Sequence, residues 1–198
     1  MKIYKYRSCD NLNHIQEILR DGEFYFADWR ELNDPMEGYF KYYNADHSSD
    51  ELRKIVQSKD NYGISCFSLT NDEILLWSHY ANNHKGLCIE IDTDFERSED
   101  VSLEVIKYQN TIPWVKRDDG RLRTGKEILS SKIYKWNYEQ EIRAFCEGKH
   151  TKHKVGRITK IILGIRVDSS LKTLVNKFRE DILVVEATLD FDLNKIKV

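Results

Sequence analysis

The sequence predicts a single α+β domain, in which mainly antiparallel strands form two small sheets with helices at their periphery. Stretches with the short apolar or alternating pattern of strands outnumber those with helical periodicity, and the two kinds do not alternate strictly. The 198 residues, 40% of them hydrophobic, are enough for a buried core and exclude a disordered class. Two prolines and no visible repeat leave no linker, so residues 1–198 are predicted to form one domain.

In the first half of the chain, the patterns predict strands at residues 2–6, 23–26, 64–68 and 87–91. Asp10 or Asn11 is placed to cap a helix through Arg20, and Gly22 is typical of the position just past a helix end. Capping boxes at residues 48–51 and 70–73 predict a helix to residue 58 and another over residues 72–81. Residues 29–38, which include Pro35, predict a turn-rich loop.

In the second half, strands are predicted at residues 102–108, 141–146, 158–165, 182–187 and 189–198. A capping box at residues 124–127 predicts a helix that runs towards Trp136. Ser169 or Ser170 is placed to cap a last helix that ends near Arg179. The polar, charged residues 112–124 and 147–156 predict two loops.

Acidic and basic residues are divided unevenly between the two halves of the chain. The net charge is −2, yet residues 1–100 sum to −9 and residues 101–198 to +7. Basic residues concentrate at 116–135 and 149–160. Such a division gives either a field that attracts an anionic ligand to one face, or two solvated faces that offset one another.

Several patterns bear on the location of the protein. The N-terminal residues lack the apolar core of a signal peptide, and no apolar run approaches a membrane span in length. Cys9, Cys66, Cys88 and Cys146 are scattered without a C-x-x-C motif, as expected for reduced thiols. The sequence therefore predicts a cytoplasmic protein without a membrane partner.

Three blocks of sequence, which together cover most of the chain, support a resemblance to a known family. They are Tyr-Lys-Tyr-Arg at 4–7 with Leu-Asn-Asp-Pro-Met-Glu at 32–37; Cys-Phe-Ser at 66–68 with Trp-Ser-His-Tyr-Ala-Asn-Asn-His-Lys-Gly at 77–86; and Lys-Trp-Asn-Tyr-Glu-Gln-Glu-Ile-Arg at 135–143. In their order and spacing, the chain resembles a widespread bacterial family known as a domain of unknown function (number 2971). That name implies no mechanism.

A second resemblance implies one. Residues 3–22 are similar to the start of bacterial ADP-ribosyltransferases, where a strand ends in a ligand-binding Arg or His and a helix and Gly follow. The Arg/Ser/Glu type continues with Ser-Thr-Ser on one strand and Glu-x-Glu on a later one. Here the order is Arg7, then Phe-Ser-Leu-Thr at 67–70, then Glu-Gln-Glu at 139–141. Leu69 and Thr70 depart from the pattern, so Ser68 alone matches the middle motif.

This resemblance implies an ADP-ribosyltransferase-like fold and a cleft that takes NAD or a related nucleotide. It also implies transfer to a macromolecular acceptor, protein or nucleic acid, in bacterial conflict or phage defence, or cleavage of NAD. The sequence does not specify the acceptor or an oligomeric state.

The implied reaction breaks an N-glycosidic bond through an oxocarbenium-like transition state, which a carboxylate stabilises. Glu141 is the candidate for that carboxylate. Glu139, two residues earlier on a predicted strand, is expected to face the same way and to orient or deprotonate the acceptor. Two neighbouring carboxylates are expected to raise the pKa of one of them.

Four further residues are predicted to bind the dinucleotide. Arg7 offers a rigid fork of donors for the pyrophosphate or a ribose. Ser68 is expected to bond the nicotinamide ribose, Tyr80 to stack on the base, and His79 belongs to the same ligand-binding set.

Each of these residues has a plainer alternative. Glu139 and Glu141 would pair with Lys135 and Arg143 on a solvated strand face. Arg7 would be a strand-end ion-pair partner. Ser68 would be a small residue at a strand end, and Tyr80 a core aromatic, as Trp77 would be.

Two other functions compete with NAD chemistry. His79, His84, Cys88, Glu90 and Asp92 lie within 14 residues, but without a metal-binding spacing, so no metal is predicted. The runner-up is a non-catalytic module that binds a nucleotide, a nucleic acid or a protein, the last two through the basic stretches 116–126 and 149–160.

Overall fold

Strands provide the frame of the molecule, which is seen in a computed structural model that describes residues 1–43, 48–115, 123–178, 182–193 and 195–198. The strands are β1 (Lys2–Arg7), β2 (Glu23–Phe26), β3 (Tyr62–Ser68), β4 (Leu87–Asp92), β5 (Ser102–Val105), β6 (Lys107–Gln109), β7 (Ser131–Ile133), β8 (Glu141–Glu147), β9 (Thr151–Lys154), β10 (Arg157–Leu163), β11 (Leu183–Glu186), β12 (Thr188–Asp190) and β13 (Lys195–Lys197). The helices are α1 (Leu12–Asp21), α2 (Ser49–Asp60), α3 (Ile74–Tyr80), α4 (Gly125–Leu129) and α5 (Ser169–Phe178), with 3₁₀ helices at Trp29–Glu31 and Tyr134–Glu139.

Across the described residues, the strands form one seven-stranded sheet and three two-stranded sheets. The large sheet has the order β11–β10–β4–β1–β3–β8–β5, and its pairs are antiparallel apart from β10–β11. The small sheets are β2–β9, β6–β7 and β12–β13. The α+β class and its mainly antiparallel pairing are therefore confirmed.

The prediction of two small sheets needs correction, for a reason that matters to the site. In the described chain, β1 and β3 pair at a single position, where Tyr4 lies opposite Ser68. By contrast, β1 pairs with β4 along all six of its residues. The large sheet is thus a four-stranded half, β11–β10–β4–β1, joined to a three-stranded half, β3–β8–β5, at one residue pair.

Both faces of the large sheet are covered, because successive side chains of a strand point to opposite sides. On β4, Ile89 and Ile91 join a core that includes residues of α1, α5 and β2. Cys88, which precedes Ile89 and points to the opposite side, joins a second core with Trp77 of α3 and Ile196 of β13. Burial on both faces fixes the position of β1 beside β4. It therefore also fixes where the side chains of β1 line the site.

Local capping signals placed most of the helix starts correctly. The side chain of Asn11 accepts from the backbone of α1, and Gly22 ends that helix with φ 69°. The boxes opened by Ser48 and Thr124 are both formed. The box at Thr70 is wrong: its hydroxyl bonds to Asp72, while Glu73 caps α3 through its own carboxylate.

Several predicted boundaries also differ from those observed. The helix after Thr124 ends at Leu129, and β7 and the 3₁₀ helix Tyr134–Glu139 follow it. The predicted loop 147–156 contains β9, because that segment pairs with β2. Some predicted features lie outside the described residues. They are parts of the predicted loop 112–124 and of the basic stretch 116–126, and Arg179 at the predicted end of α5.

Within the described ranges, no helix is both long enough and apolar enough to cross a membrane.

Candidate functional site

A pocket of about 500 Å³ lies where β1 and β3 separate beyond their single paired position. Its lining includes residues 4–8 of the first strand region and residues 64–68 of the third. A volume of this size is typical of small-molecule sites, roughly 300–1,000 Å³. All six residues predicted from the sequence line it, namely Arg7, Ser68, His79, Tyr80, Glu139 and Glu141.

Glu139 and Glu141 form what we call the carboxylate end of the pocket, although not in the predicted way. Glu139 ends the 3₁₀ helix and Glu141 begins β8, with Gln140 between them in the left-handed region at φ 41° and ψ 51°. The two are therefore not neighbours on one extended strand. The turn nevertheless directs both carboxylates to Lys132, whose Nζ donates to Glu139 at 2.6 Å and to Glu141 at 3.2 Å.

The two carboxyl groups differ in pKa because their partners differ. Burial raises the pKa of Glu139, and the Glu141 charge adds to that rise, although Lys132 opposes it. Burial also works to raise the pKa of Glu141, but Arg143 and Lys132 overcome it and hold that pKa at about 2. Glu141 is thus a fixed negative charge, and Glu139 is the carboxyl group that exchanges a proton more readily.

Arg143, which is buried on β8, holds the carboxylate end in place through Glu141. Its guanidinium donates to both oxygens of Glu37 at 2.7 Å, to Glu141 at 2.7 and 3.1 Å, and to the carbonyl of Leu129 at 2.6 Å. Arg143 is 0% exposed, so the expected pairing with Glu141 forms in the interior and not on a solvated face. Lys132 takes the place expected of Lys135.

Tyr80 and Ser68 hold Glu139 in position. The Tyr80 hydroxyl donates to a carboxylate oxygen of Glu139 at 2.5 Å and accepts from the Asn33 side chain at 2.6 Å. The Ser68 hydroxyl donates to the backbone carbonyl of Glu139 at 2.7 Å, and it accepts from the Thr70 backbone at 3.0 Å. Ser68 is thus at the predicted place, where its hydroxyl fixes the turn that carries Glu139.

His79 lies at the edge of the pocket, on the last turn of α3. Its ring nitrogen Nδ1 is 3.3 Å from the Tyr138 hydroxyl, and its side chain is exposed. The residue is accessible to a ligand there.

Lys5, Arg7 and His14 form what we call the cationic end of the pocket. Nζ of Lys5 donates to the carbonyl of Cys66 at 2.6 Å, on the stretch of β3 that β1 does not pair with. Neither Lys5 nor Arg7 forms an ion pair within the described part of the chain, and Nε of Arg7 is buried there without a hydrogen-bond partner. The alternative of Arg7 as a strand-end ion-pair partner is therefore not supported.

Burial lowers the pKa values of all three groups. Burial, reinforced by the Arg7 charge, lowers the pKa of Lys5 from 10.5 to about 7, while Glu141 opposes the shift. Burial likewise lowers the pKa of Arg7, and burial together with Arg7 lowers that of His14. The amine of Lys5 is thus divided between its charged and neutral forms near neutral pH.

A stability measurement checks the state of Lys5. Between pH 7 and 10.5, the unfolded chain binds more protons at this lysine than the folded protein does. The free energy of unfolding therefore increases as the pH rises through this interval. Lys5→Met removes this gain. We expect urea unfolding at several pH values across that interval to show the parent gaining stability relative to Lys5→Met. A constant difference between the two proteins would contradict the lowered pKa.

The metal alternative is not supported within the described residues, where no group of three or more His, Cys, Asp and Glu side chains is placed to hold an ion. Cys88 instead packs in a core. The buried Glu90 pairs with Lys2 at 2.8 Å and Lys160 at 3.5 Å.

The basic stretch 149–160 is largely neutralised by acidic residues from the first half of the chain. The pairs are Lys149–Asp28, Lys152–Glu17, Arg157–Glu96 and Lys160–Glu90. The opposite charges of the two halves therefore meet in the fold, and this stretch is not an unpaired basic face for a nucleic acid.

Sequence reasoning missed several residues of the site, which are Lys5, His14, Asn33, Glu37 and Lys132. The sequence could have indicated Lys5 as a site residue, because it lies two residues before Arg7 on a predicted strand and therefore on the same face. Asn33 and Glu37 belong to the Leu-Asn-Asp-Pro-Met-Glu block that supports the resemblance. Lys132 had no such indication in the sequence, since its pairing with Glu139 arises from tertiary packing.

No protein-family model, curated protein or solved structure matches the chain.

Proposed function

We propose that the pocket binds NAD or a closely related dinucleotide and cleaves its N-glycosidic bond. The ADP-ribosyl group is then transferred either to water or to a macromolecular acceptor. One observation carries the proposal: among the described residues, a pocket of small-molecule size has two basic side chains without ion pairs at one end and two buried carboxyl groups of different pKa at the other. A dinucleotide needs both, because its diphosphate is anionic and its reacting ribose becomes positively charged.

The two carboxylates would divide the work. Glu141, held ionised by Arg143 and Lys132, would stabilise the oxocarbenium-like state as the bond from the ribose carbon to the nicotinamide nitrogen breaks. The bonding electron pair leaves with nicotinamide. Glu139 would take the proton of the attacking water or acceptor hydroxyl, whose oxygen bonds to the ribose carbon. The products are nicotinamide and an ADP-ribosyl group on water or on the acceptor.

Other side chains would bind and orient the substrate. Arg7 would hold the diphosphate with donors that no described side chain occupies. Tyr80, whose hydroxyl bonds to Glu139, would present its ring beside the nicotinamide ribose and base. His79 would contact the substrate at the exposed edge of the pocket.

The test combines NAD binding by calorimetry with nicotinamide release, on the parent and on Glu141→Gln. We expect both proteins to bind NAD and the parent to release nicotinamide, with release at least 100-fold slower in Glu141→Gln. A melting curve for each protein verifies that the variant is folded. Equal release by the two proteins would remove Glu141 from the chemistry.

A non-catalytic binding module is the second candidate, and one observation favours it. Both carboxylate oxygens of Glu141 are already occupied by Arg143 and Lys132, as in a purely structural ion-pair network. NAD binding without nicotinamide release by the parent, with or without candidate acceptors, would select this function.

A further inference from the structure

Beside Arg7, the cationic end of the pocket holds a second basic side chain, Lys5, that forms no ion pair within the described residues. Lys5 and Arg7 are two residues apart on β1, so their side chains lie on the same face, and both line the pocket. His14 of α1 lines it beside them. An ammonium group withdrawn from water is costly unless it is paired, yet no carboxylate of the described residues lies within ion-pair distance of Lys5.

Uncharged groups of β3 face the Lys5 amine. On β3 it meets the Cys66 carbonyl at 2.6 Å and the Ser65 hydroxyl at 3.4 Å, with the Phe67 ring centroid at 4.9 Å. The Cys66 thiol, whose pKa burial raises to about 12, stays neutral.

The other titratable groups near Lys5 lie on three elements. On β1 the neighbouring charge is Arg7. On α1 the neighbouring group is the imidazole of His14, whose own pKa burial lowers, with Arg7 and Lys5 adding to the shift. On β8 the Glu141 charge acts from a distance and is already paired with Arg143. The strand on the far side of β1 places the apolar Ile89 opposite Lys5. Among the described residues, the surroundings thus supply acceptors for the amine but no counter-charge within ion-pair distance.

We infer that Lys5 is the proton-coupled part of a diphosphate subsite, where its amine takes up a proton as a phosphate group enters the pocket beside Arg7. This inference rests on the proposed function and deepens it, since it assigns the diphosphate of the substrate to a residue with no sequence-predicted role. The phosphate supplies the counter-charge that the amine lacks, and the newly charged amine then donates charge-assisted hydrogen bonds to it. Binding and protonation are linked, because each favours the other.

The linkage is measured by calorimetric titration at pH 8 in buffers that differ in ionisation enthalpy. The probes are ADP-ribose and ADP-glucose, whose diphosphates are esterified at both ends and have no proton to release near pH 8. Neither carries nicotinamide, so the result does not depend on cleavage. The slope of the observed enthalpy against the buffer ionisation enthalpy gives the number of protons taken up. For the parent we expect close to one proton per pocket, because an amine with a pKa of about 7 is mainly neutral at this pH.

Variants assign the proton. Lys5→Met should abolish the uptake and weaken binding about tenfold or more, whereas His14→Gln should retain the uptake. Lys172→Met is the matched control, since Lys172 pairs with Glu186 on the surface and does not line the pocket. It should change neither quantity.

The inference is overturned if neither probe binds the parent, if a probe binds without proton uptake, or if Lys5→Met retains the uptake. Its failure is distinguishable from that of the proposed function. Proton-coupled binding of the probes without NAD cleavage sustains the diphosphate subsite and removes the enzyme. Cleavage of NAD, with probe binding that takes up no proton, sustains the proposed function and overturns the proton-coupled subsite.

Discussion

Arg143→Met is expected to lower the free energy of unfolding by about 3–5 kcal/mol, the usual loss when one partner of a buried ion pair is removed. The guanidinium is fully buried and donates to Glu37 and Glu141, which are themselves only 5% and 3% exposed. Without it, Glu37 loses the cation that holds both its oxygens, and among the described residues Glu141 retains only Lys132 as a cationic partner. The carbonyl of Leu129 also loses a donor.

Urea unfolding at neutral pH measures this effect. Arg53→Met is the control, because Arg53 and Asp50 form an exposed pair on α2, with 66% and 78% of their side-chain surface accessible. A further variant, Arg143→Met combined with Glu37→Gln and Glu141→Gln, should recover part of the loss, because it removes the unpaired charges. A loss in Arg143→Met no larger than that in Arg53→Met would mean that the network does not stabilise the fold.

Glu139→Gln is expected to slow nicotinamide release by about 100- to 10,000-fold, the range for removal of a general base. An amide cannot take the proton of the attacking oxygen, although it can still accept from Tyr80 and Lys132. Binding of NAD should therefore change little. In the parent, release should rise with pH as Glu139 deprotonates through its raised pKa, and the variant should lose that limb of the profile.

The pH profile separates a chemical role from a structural one. Glu147→Gln is the matched control, since Glu147 ends the same strand at its exposed end and lies outside the pocket. It should leave both rate and profile unchanged. Release by Glu139→Gln with the parental pH profile would assign the proton transfer to another group.

Most of the strands and helix starts were predictable, because they follow from local signals. The alternation of residues 2–6 and the caps at Asn11, Ser48 and Thr124 act within a few residues of chain. The capping box predicted at Thr70 does not form, and the reason is again local. The Thr70 hydroxyl donates to the carboxylate of Asp72, which is closer along the chain than that of Glu73.

The candidate site was predictable only in part. Strand periodicity indicated that Arg7 and Ser68 end strands, and β1 and β3 bring those ends to one pocket. No local pattern indicates that the two strands separate after one pair, which is what opens the pocket. The joint binding of Glu139 and Glu141 by Lys132 likewise depends on the left-handed turn at Gln140, which an extended-strand reading does not contain.

Binding of a dinucleotide in this pocket can be observed in a crystal structure of the protein soaked with NAD at saturating concentration. We expect the dinucleotide in the gap between β1 and β3, with its diphosphate beside Lys5 and Arg7. Its nicotinamide ribose, or the ribose of the ADP-ribose product, should lie beside Glu139 and Glu141. A well-ordered crystal in which NAD binds elsewhere, or in which the pocket holds only water, would contradict this expectation.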